Sequence, residues 1–127
     1  MVMTYEYSIT VRGYELDSFG HVNNAVYLNY MEQARWEILR EKNLQDYFSA
    51  NGLVLVVVSA ELRYMKETTV FDDLTVYTTL AGEPPYLAFM HTIKRSGTRE
   101  PVTRGKILTL LVDNERVPHD IPGFFLE

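Results

Sequence analysis

A change of hydrophobic period near the start of the chain constrains its fold more than any other feature. Residues 5 to 12 alternate apolar and polar side chains, which is typical of a strand with one buried face. From Asn23 to about Lys42 the period becomes 3.6, and one side of a helix collects Tyr27, Tyr30, Met31, Ala34 and Ile38. A helix with one apolar side must bury it against another element, and since strands are predicted around it, we expect this side to lie on a sheet.

The exact start of this helix has two interpretations. Asn23 and Asn24 are suited to a helix N-terminus. Asn29-x-x-Glu32 also fits a capping box, which would leave an irregular first turn over 23–28.

Four further strands are predicted after the helix. Turn-forming residues from Asn43 to Gly52 end the helix. Runs of β-branched and aromatic residues then predict strands at 54–64, 74–81, 86–95 and 102–113. Pro118 and Pro122 argue against a regular element in the tail from Val117. This order predicts one α+β domain over residues 1–127, with an antiparallel sheet and one helix.

Composition excludes several classes of protein. Seventeen acidic and twelve basic residues give a net charge of −5, which argues against a nucleic-acid partner. The absence of cysteine excludes disulfides, thiolate metal sites and cysteine nucleophiles. The N-terminus has no signal-peptide pattern, and the longest apolar run, 53–58, is too short to cross a bilayer. We therefore expect a cytoplasmic protein with no membrane partner.

One basic cluster stands out against this acidic background. Its members are predicted to lie on two strands joined by the Ser96-Gly97 turn: Lys94, Arg95, Arg99, Arg104 and Lys106. The cluster fits either contact with the phosphates of an anionic ligand or a solvated hairpin end.

A carboxylate is predicted beside the helix N-terminus. Asp17 stands three residues before Gly20-His21, and Asn23 and Asn24 follow. Gly20 permits a tight turn, and asparagine accepts backbone N–H bonds at a helix start. A helix N-terminus stabilises an oxygen that becomes negative during a reaction. Asp17 is thus a candidate base or nucleophile, and the simplest alternative is that it caps its own turn.

Other polar residues favour structural roles. His21 either bonds the backbone of its turn or transfers protons, and the first role is favoured. Glu32 and Arg35, three apart on the helix, predict a surface ion pair. Trp36 lies off the apolar stripe, so it is either exposed or covered by a second subunit.

The sequence lacks the motifs that are typical of several other enzyme classes. It has no serine-centred nucleophile elbow and no Gly-rich phosphate loop. His91 and His119 stand alone rather than at metal-ligand spacing. No metal or organic cofactor is expected.

The helix start resembles a known enzyme family. Asp17-x-x-Gly20-His21-Val22-Asn23-Asn24-x-x-Tyr27, followed by Glu32-x-Ala34-Arg35, is similar to the signature of hotdog-fold acyl-CoA thioesterases of the 4-hydroxybenzoyl-CoA thioesterase type. Val11-Arg12-Gly13-Tyr14-x-Leu16-Asp17 resembles in particular the bacterial long-chain acyl-CoA thioesterase III branch. Arg63-Tyr64-x-Lys66 and Phe71-Asp72-Asp73-Leu74 resemble the family's second and third strands, so the likeness covers nearly the whole chain.

The resemblance implies a fold, a site and an assembly. The fold is a five-stranded antiparallel sheet wrapped around one long central helix. The implied catalytic positions are Asp17, His21 and Asn24, with the backbone N–H near Asn24 as oxyanion donor. The implied substrate-binding positions are Gly20, Asn23, Tyr27, Tyr30, Met31, Arg63 and Lys66. The implied assembly is a homodimer or homotetramer with the site at a subunit boundary.

The leading hypothesis is hydrolysis of medium- to long-chain fatty acyl-CoA to free fatty acid and CoA. An apolar lining favours an alkyl tunnel over an aryl pocket, and its expected members are Val26, Tyr27, Tyr30, Met31, Val56, Val58, Phe89 and Met90. The alternatives are an aryl-CoA thioesterase, release of acyl or polyketide chains from acyl carrier protein, and non-catalytic acyl binding. Asp17 argues against the last, since a purely apolar groove has no use for a desolvated carboxylate.

Overall fold

The structure, a computed structural model, describes residues 2–127 as an antiparallel sheet with one long and one short helix. In chain order the elements are β1 (Tyr5–Thr10), a 3₁₀ turn (Gly13–Glu15), α1 (Asn24–Glu41), α2 (Leu44–Asn51), β2 (Leu53–Tyr64), β3 (Asp73–Glu83), β4 (Tyr86–Arg95), β5 (Pro101–Asp113), β6 (Pro118–His119) and a second 3₁₀ turn (Gly123–Leu126).

The sheet has the strand order β1-β3-β4-β5-β2, and the short β6 also pairs with β5. Every pairing is antiparallel. This order leaves β1 and β2 at the two edges. The predicted α+β class and the five long strands are confirmed, with β6 as an addition.

Helix α1 lies close against the sheet. Tyr27, Tyr30, Met31, Ala34 and Ile38, the predicted apolar stripe, are all buried. Below Met31 the sheet carries Gly105, where an added Cβ would lie 2.5 Å from the Met31 sulfur. Only glycine leaves room for this side chain, so Gly105 determines how closely α1 approaches β5.

The helix start follows the first of the two interpretations. Helix α1 begins at Asn24, and the Asn23 side chain accepts a hydrogen bond from the Ala25 N–H at 2.9 Å. The alternative start at Asn29 is therefore wrong. Because Asn23 satisfies N–H groups at this earlier position, the helix is regular through residues 24–28.

Two segments that were predicted to be irregular contain regular structure. Within residues 43–52, Leu44–Asn51 forms α2, because Asn43 adopts a left-handed conformation (φ 57°) that redirects the chain. Leu44 and Phe48, one helical turn apart, are buried there. The tail forms β6 and a 3₁₀ turn that buries Phe125 against Phe48. None of the helices within residues 2–127 combines the length and the apolar character that a bilayer crossing requires.

Candidate active site

Asp17 lies in a tight turn that fixes one of its carboxylate oxygens. Its Oδ1 accepts hydrogen bonds from the backbone N–H groups of Phe19, at 2.9 Å, and His21, at 3.3 Å. The turn closes through Gly20, whose φ of 82° is easiest for glycine. Within residues 2–127, Oδ2 accepts no hydrogen bond. One carboxylate oxygen is thus anchored, and the other is available to a reactant.

The N-terminus of α1 offers an unused donor beside this turn. Asn23 satisfies the Ala25 N–H with its side chain and the Val26 N–H with its carbonyl. The Asn24 N–H, first in the helix, has no acceptor among residues 2–127. Tyr64 donates its hydroxyl to the Asn24 carbonyl at 2.9 Å and so ties this first turn to the end of β2. The free N–H and the helix dipole together favour a negative oxygen here.

An open cleft of about 690 Å³ joins these groups. Five residues of the predicted site line it: Asp17, His21, Asn24, Tyr27 and Lys66. The rest of its wall consists of Phe19, Val22, Tyr64, Met65 and Glu67. The structure therefore brings the predicted carboxylate and the predicted helix terminus into one cavity.

Two residues of this cleft had little or no signal in the sequence. Glu67 approaches the His21 Nε2 at 3.2 Å, and both side chains are substantially exposed. No local pattern marks Glu67, because it meets His21 only through the fold. Tyr64 was visible as part of the Arg63-Tyr64-x-Lys66 motif, but its bond to the Asn24 carbonyl was not.

The remaining predicted substrate-binding residues lie beside or beneath the cleft. Gly20 shapes the turn and accepts the Thr69 hydroxyl at 2.8 Å, and Asn23 caps the helix. Arg63 is exposed on β2. Tyr30 and Met31 are buried in the core and do not line the cleft of the single chain.

The expected alkyl tunnel is likewise not formed by one chain. Val58 and Met90 are exposed, Tyr30 and Met31 fill the core, and the buried Tyr27 and Phe89 line two separate cavities. Side chains that close-pack between helix and sheet leave no channel. An apolar cavity does exist elsewhere, between α1, α2 and β2.

A buried carboxylate supports the turn that carries Asp17. Glu15 accepts hydrogen bonds from the Arg12 guanidinium at 2.7 Å, the Arg12 N–H at 2.8 Å and the Tyr30 hydroxyl at 2.8 Å. Burial raises the pKa of Glu15, but these hydrogen bonds outweigh it and hold the pKa below its usual value. The Glu15 carbonyl also accepts the Asn23 N–H at 2.9 Å. Glu15 thereby links the chain before Asp17 to the helix after it.

Arg35 does not form the predicted surface ion pair with Glu32. Its side chain is only 9% exposed, and its Nη1 lies 3.2 Å from the His91 Nε2. His91 therefore does not stand alone, since its Nδ1 also lies 2.7 Å from the Thr78 hydroxyl. The prediction failed because spacing along one helix cannot show that Arg35 faces β4.

Carboxylates partly neutralise the basic cluster at the β4–β5 hairpin. Arg95 pairs with Asp72 at 3.0 Å and with Glu100 at 3.1 Å. Lys106 pairs with Glu83 at 2.9 Å. These pairs favour the interpretation of a solvated hairpin end.

The strand order, the central helix and the cleft define a hotdog fold with a carboxylate at the helix N-terminus. Solved structures share this fold, and two of them show how close the likeness is. The probable thioesterase YbaW from Escherichia coli has a TM-score of 0.89 at 25% identity and covers 97% of this chain and 99% of that one. Slr0204, a 1,4-dihydroxy-2-naphthoyl-CoA thioesterase from Synechocystis, has a TM-score of 0.87 at 19% identity, covering 97% and 93%.

Residues 11–127 match the profile of the thioesterase-like superfamily, and the chain belongs to that family. It is 39% identical over 92 residues to the long-chain acyl-CoA thioesterase FadM of E. coli, covering 70% of each chain. It is 31% identical over 121 residues to the acyl-acyl carrier protein thioesterase ATL3 of Arabidopsis thaliana, covering 94% of this chain but 64% of ATL3. The predictions of a hotdog fold and of a thioester hydrolase are confirmed.

Proposed function

We propose that this thioesterase hydrolyses medium- to long-chain fatty acyl-CoA to free fatty acid and CoA, with Asp17 as its reactive group. The observation that carries the proposal is the cleft in which the Asp17 carboxylate and the Asn24 N–H lie together. The likeness to FadM, named a long-chain acyl-CoA thioesterase, supports the substrate class.

The geometry suits attack on a thioester carbonyl. The Asn24 N–H and the dipole of α1 stabilise the negative charge that forms on the carbonyl oxygen. The unbonded Oδ2 of Asp17 either removes a proton from the attacking water or attacks the carbonyl carbon itself. If Asp17 acts as the base, the hydroxide adds to the carbonyl carbon, the carbon–sulfur bond breaks, and the proton held by Asp17 passes to the departing thiolate of CoA. If Asp17 attacks directly, the carbon–sulfur bond breaks to give an acyl-aspartate anhydride, the thiolate takes a proton from solvent, and water then hydrolyses the anhydride to the fatty acid and restores the carboxylate. Because Oδ1 is held by two N–H groups, Oδ2 is fixed in position for either step.

The surrounding residues are assigned supporting roles in this proposal. His21 stabilises the turn and faces Glu67. Lys66 on the cleft wall, with Arg63 nearby on β2, supplies positive charge for the phosphates of CoA. Tyr27 forms part of the wall and bonds the Thr68 hydroxyl at 2.6 Å. Tyr30 supports Tyr27 from beneath, since the two rings meet edge-on at 6.0 Å, and Met31 is buried in the same core cluster.

A second substrate, an acyl chain carried by acyl carrier protein, is favoured by one observation. ATL3, named an acyl-acyl carrier protein thioesterase, is similar over 94% of this chain. The two carriers share the pantetheine thioester but differ in what lies beyond it. Comparing kcat/KM for acyl-CoA, acyl-pantetheine and acyl-carrier protein with one acyl group separates the two substrates, since only a CoA enzyme loses efficiency when the nucleotide is removed.

Assembly through the β2 edge is also proposed. The outer side of β2 has no strand partner among residues 2–127. Val54, Val57 and Val58 are exposed along it, and Trp36 on α1 is 52% exposed. An unprotected apolar edge strand is a template for pairing with another strand. We therefore expect a homodimer, or a homotetramer built from dimers, with the cleft at the subunit boundary.

The substitution Asp17→Asn tests the catalytic role. Asparagine keeps a side-chain oxygen that accepts the Phe19 and His21 N–H groups, so the turn is retained. It cannot act as a base or nucleophile, and kcat is expected to fall at least about a hundredfold. The matched control is Asp46→Asn, an exposed aspartate on α2. Near-normal turnover in folded Asp17→Asn would remove Asp17 from the mechanism.

A panel of acyl-CoA thioesters tests the substrate class. Each buried methylene contributes about 0.8 kcal/mol, so kcat/KM is expected to rise from short to medium or long chains and then level off. Release of free thiol can be followed with a colorimetric reagent. If acetyl-CoA or hydroxybenzoyl-CoA were the best substrate, the fatty acyl assignment would be wrong even with Asp17 confirmed.

A further inference from the structure

The loop between β2 and β3, residues 65–72, packs against the turn that precedes α1. The Thr68 carbonyl accepts the Val22 N–H at 2.8 Å. The Thr69 hydroxyl donates to the Gly20 carbonyl, also at 2.8 Å. The position of that turn therefore depends on the position of this segment, which we call the β2–β3 loop.

The β2–β3 loop also contacts α1 itself. Thr68 is only 2% exposed, and its hydroxyl shares a hydrogen bond of 2.6 Å with the hydroxyl of Tyr27 in the first turn of the helix. The loop thus contacts both the turn that holds the reactive carboxylate and the helix turn that holds the free N–H.

Arg95, the last residue of β4, spans this loop. Its Nη2 donates to the Glu67 carbonyl at 2.6 Å, and its Nη1 donates to the Asp72 Oδ2 at 3.0 Å. Its Nε donates to the Glu100 Oε1 at 3.1 Å. Because the guanidinium is planar and rigid, it holds the Glu67 carbonyl and the Asp72 carboxylate at a constant separation.

Asp72 transmits this restraint to the middle of the loop. The Oδ2 atom that accepts from Arg95 also accepts the Thr69 N–H at 2.9 Å. The Asp72 N–H donates to the Thr69 carbonyl at 3.2 Å. Arg95 is therefore joined to the turn before α1 by two short routes, one through Thr69 and the other through the peptide that links residues 67 and 68.

We propose that Arg95 is a positioning residue for thioester hydrolysis, which fixes the Asp17 carboxylate relative to the N-terminus of α1 by holding the β2–β3 loop. Arg95 does not line the cleft, so it acts on the reactive groups without touching the substrate. An ordinary ion-pair cluster at a hairpin end would instead contribute little to stability and nothing to turnover. The effect of Arg95 on turnover rests on the proposed function, whereas its effect on the loop does not.

The substitution Arg95→Ala tests the effect on turnover. It is expected to lower kcat about ten- to a hundredfold, because small misplacements of reacting groups have effects of this size. KM for acyl-CoA is expected to change less than about threefold. The reason is that Lys66 on the cleft wall is held independently, by its N–H to the Val102 carbonyl at 3.2 Å. The matched control is Arg99→Ala, an exposed arginine of the same hairpin, which should keep the kcat of the wild-type protein.

Chemical rescue separates the shape of the Arg95 side chain from its charge. Free guanidinium ion at low millimolar concentration, far below denaturing levels, is expected to raise the kcat of Arg95→Ala at least about fivefold, because its planar donors fit the same acceptors. Methylammonium carries the same charge without this planar arrangement and should leave kcat unchanged. The wild-type protein should respond to neither ion at this concentration.

Residue-resolved amide hydrogen exchange measures the loop without any substrate. In Arg95→Ala the Val22 N–H, which is bonded to the Thr68 carbonyl, is expected to exchange at least about tenfold faster than in the wild-type protein. The neighbouring Asn23 N–H is bonded instead to the Glu15 carbonyl at 2.9 Å and should keep its rate. A general loss of stability would accelerate both amides equally, so the difference between them is specific to the loop.

If Arg95→Ala fails to fold, Arg95→Lys replaces it. Lysine keeps the positive charge but lacks the planar fork that spans the loop, so Val22 exchange should still accelerate and kcat should still fall.

Three results would overturn the proposal. Unchanged exchange at Val22 in a folded Arg95 variant would show that the loop does not depend on Arg95. Equal acceleration at Val22 and Asn23 would show general loosening of the fold. Equal kcat in Arg95→Ala and Arg99→Ala, in a wild-type background that hydrolyses acyl-CoA, would show an ordinary ion-pair cluster. A wild-type protein that hydrolyses no acyl thioester would contradict the proposed function alone, and Val22 exchange would still decide whether Arg95 holds the loop.

Discussion

Replacing Gly105 with alanine tests how the helix that carries the site is seated on the sheet. The added Cβ would lie 2.5 Å from the sulfur and 2.8 Å from the terminal methyl of Met31. Non-bonded carbon and sulfur atoms need about 3.5 to 4 Å, so Met31 has to move by more than about 1 Å. Met31 is 0% exposed, and the space around it is filled.

Two opposing effects determine how much Gly105→Ala changes the free energy of unfolding. Overpacking a core by one methyl group costs about 1–3 kcal/mol. Replacing a strand glycine with alanine adds roughly 0.5–1 kcal/mol to the free energy of unfolding, because it reduces the conformational entropy of the unfolded chain. The flexible methionine accommodates part of the clash. We therefore expect a net destabilisation of about 1–2 kcal/mol, which lowers Tm by about 4–8 °C for a chain of this length.

Urea unfolding at one fixed protomer concentration measures this difference, since assembly would make stability depend on concentration. Gly97→Ala is the matched control, because no atom lies within 4 Å of its added Cβ. A double-mutant cycle with Met31→Ala should show coupling, since the loss at Met31 is smaller when the methyl group added by Gly105→Ala fills part of the space. If Gly105→Ala were as stable as the wild-type protein, Gly105 would not control the approach of α1.

The remaining predictions concern pH and assembly. His91 is neutral in the fold, since burial and Arg35 lower its pKa to about 3, so the unfolded chain binds the extra proton. The contribution of neutral His91 to the free energy of unfolding is therefore complete above about pH 6.5. It falls by up to about 1.4 kcal/mol per pH unit as the pH drops towards 3. Across this range the urea midpoint of His91→Gln should fall less steeply with decreasing pH than that of the wild-type protein. The control His119→Gln, at an exposed site, should behave like the wild-type protein. An unchanged slope in His91→Gln would contradict a neutral His91 in the folded state. For assembly, light scattering at micromolar concentration should show a dimer or larger species for the wild-type protein. Val57→Lys on the β2 edge should be a monomer, and the control Val117→Lys should assemble like the wild-type protein. A monomeric wild-type protein would exclude pairing through β2.

Local sequence determined the elements that frame the site. The alternation from Tyr5, the apolar stripe of α1 and the Asn23 cap each depend on residues a few positions apart, and the structure contains all three. The Asp17 turn is equally local, because its carboxylate bonds N–H groups two and four residues away. The family motif added what periodicity cannot show, namely that this turn belongs to a thioesterase.

Tertiary structure alone decided the partners of the polar side chains that meet across the fold. Arg35 and His91 are 56 residues apart, and no periodic pattern relates a helix residue to the strand that it faces. Tyr64 reaches the Asn24 carbonyl across 40 residues, and Glu67 meets His21 in the same way. Helix α2 was hidden because only two of its residues, Leu44 and Phe48, are buried. Sequence pattern specifies which face of an element is buried, whereas the three-dimensional packing of the elements specifies which side chain lies opposite it.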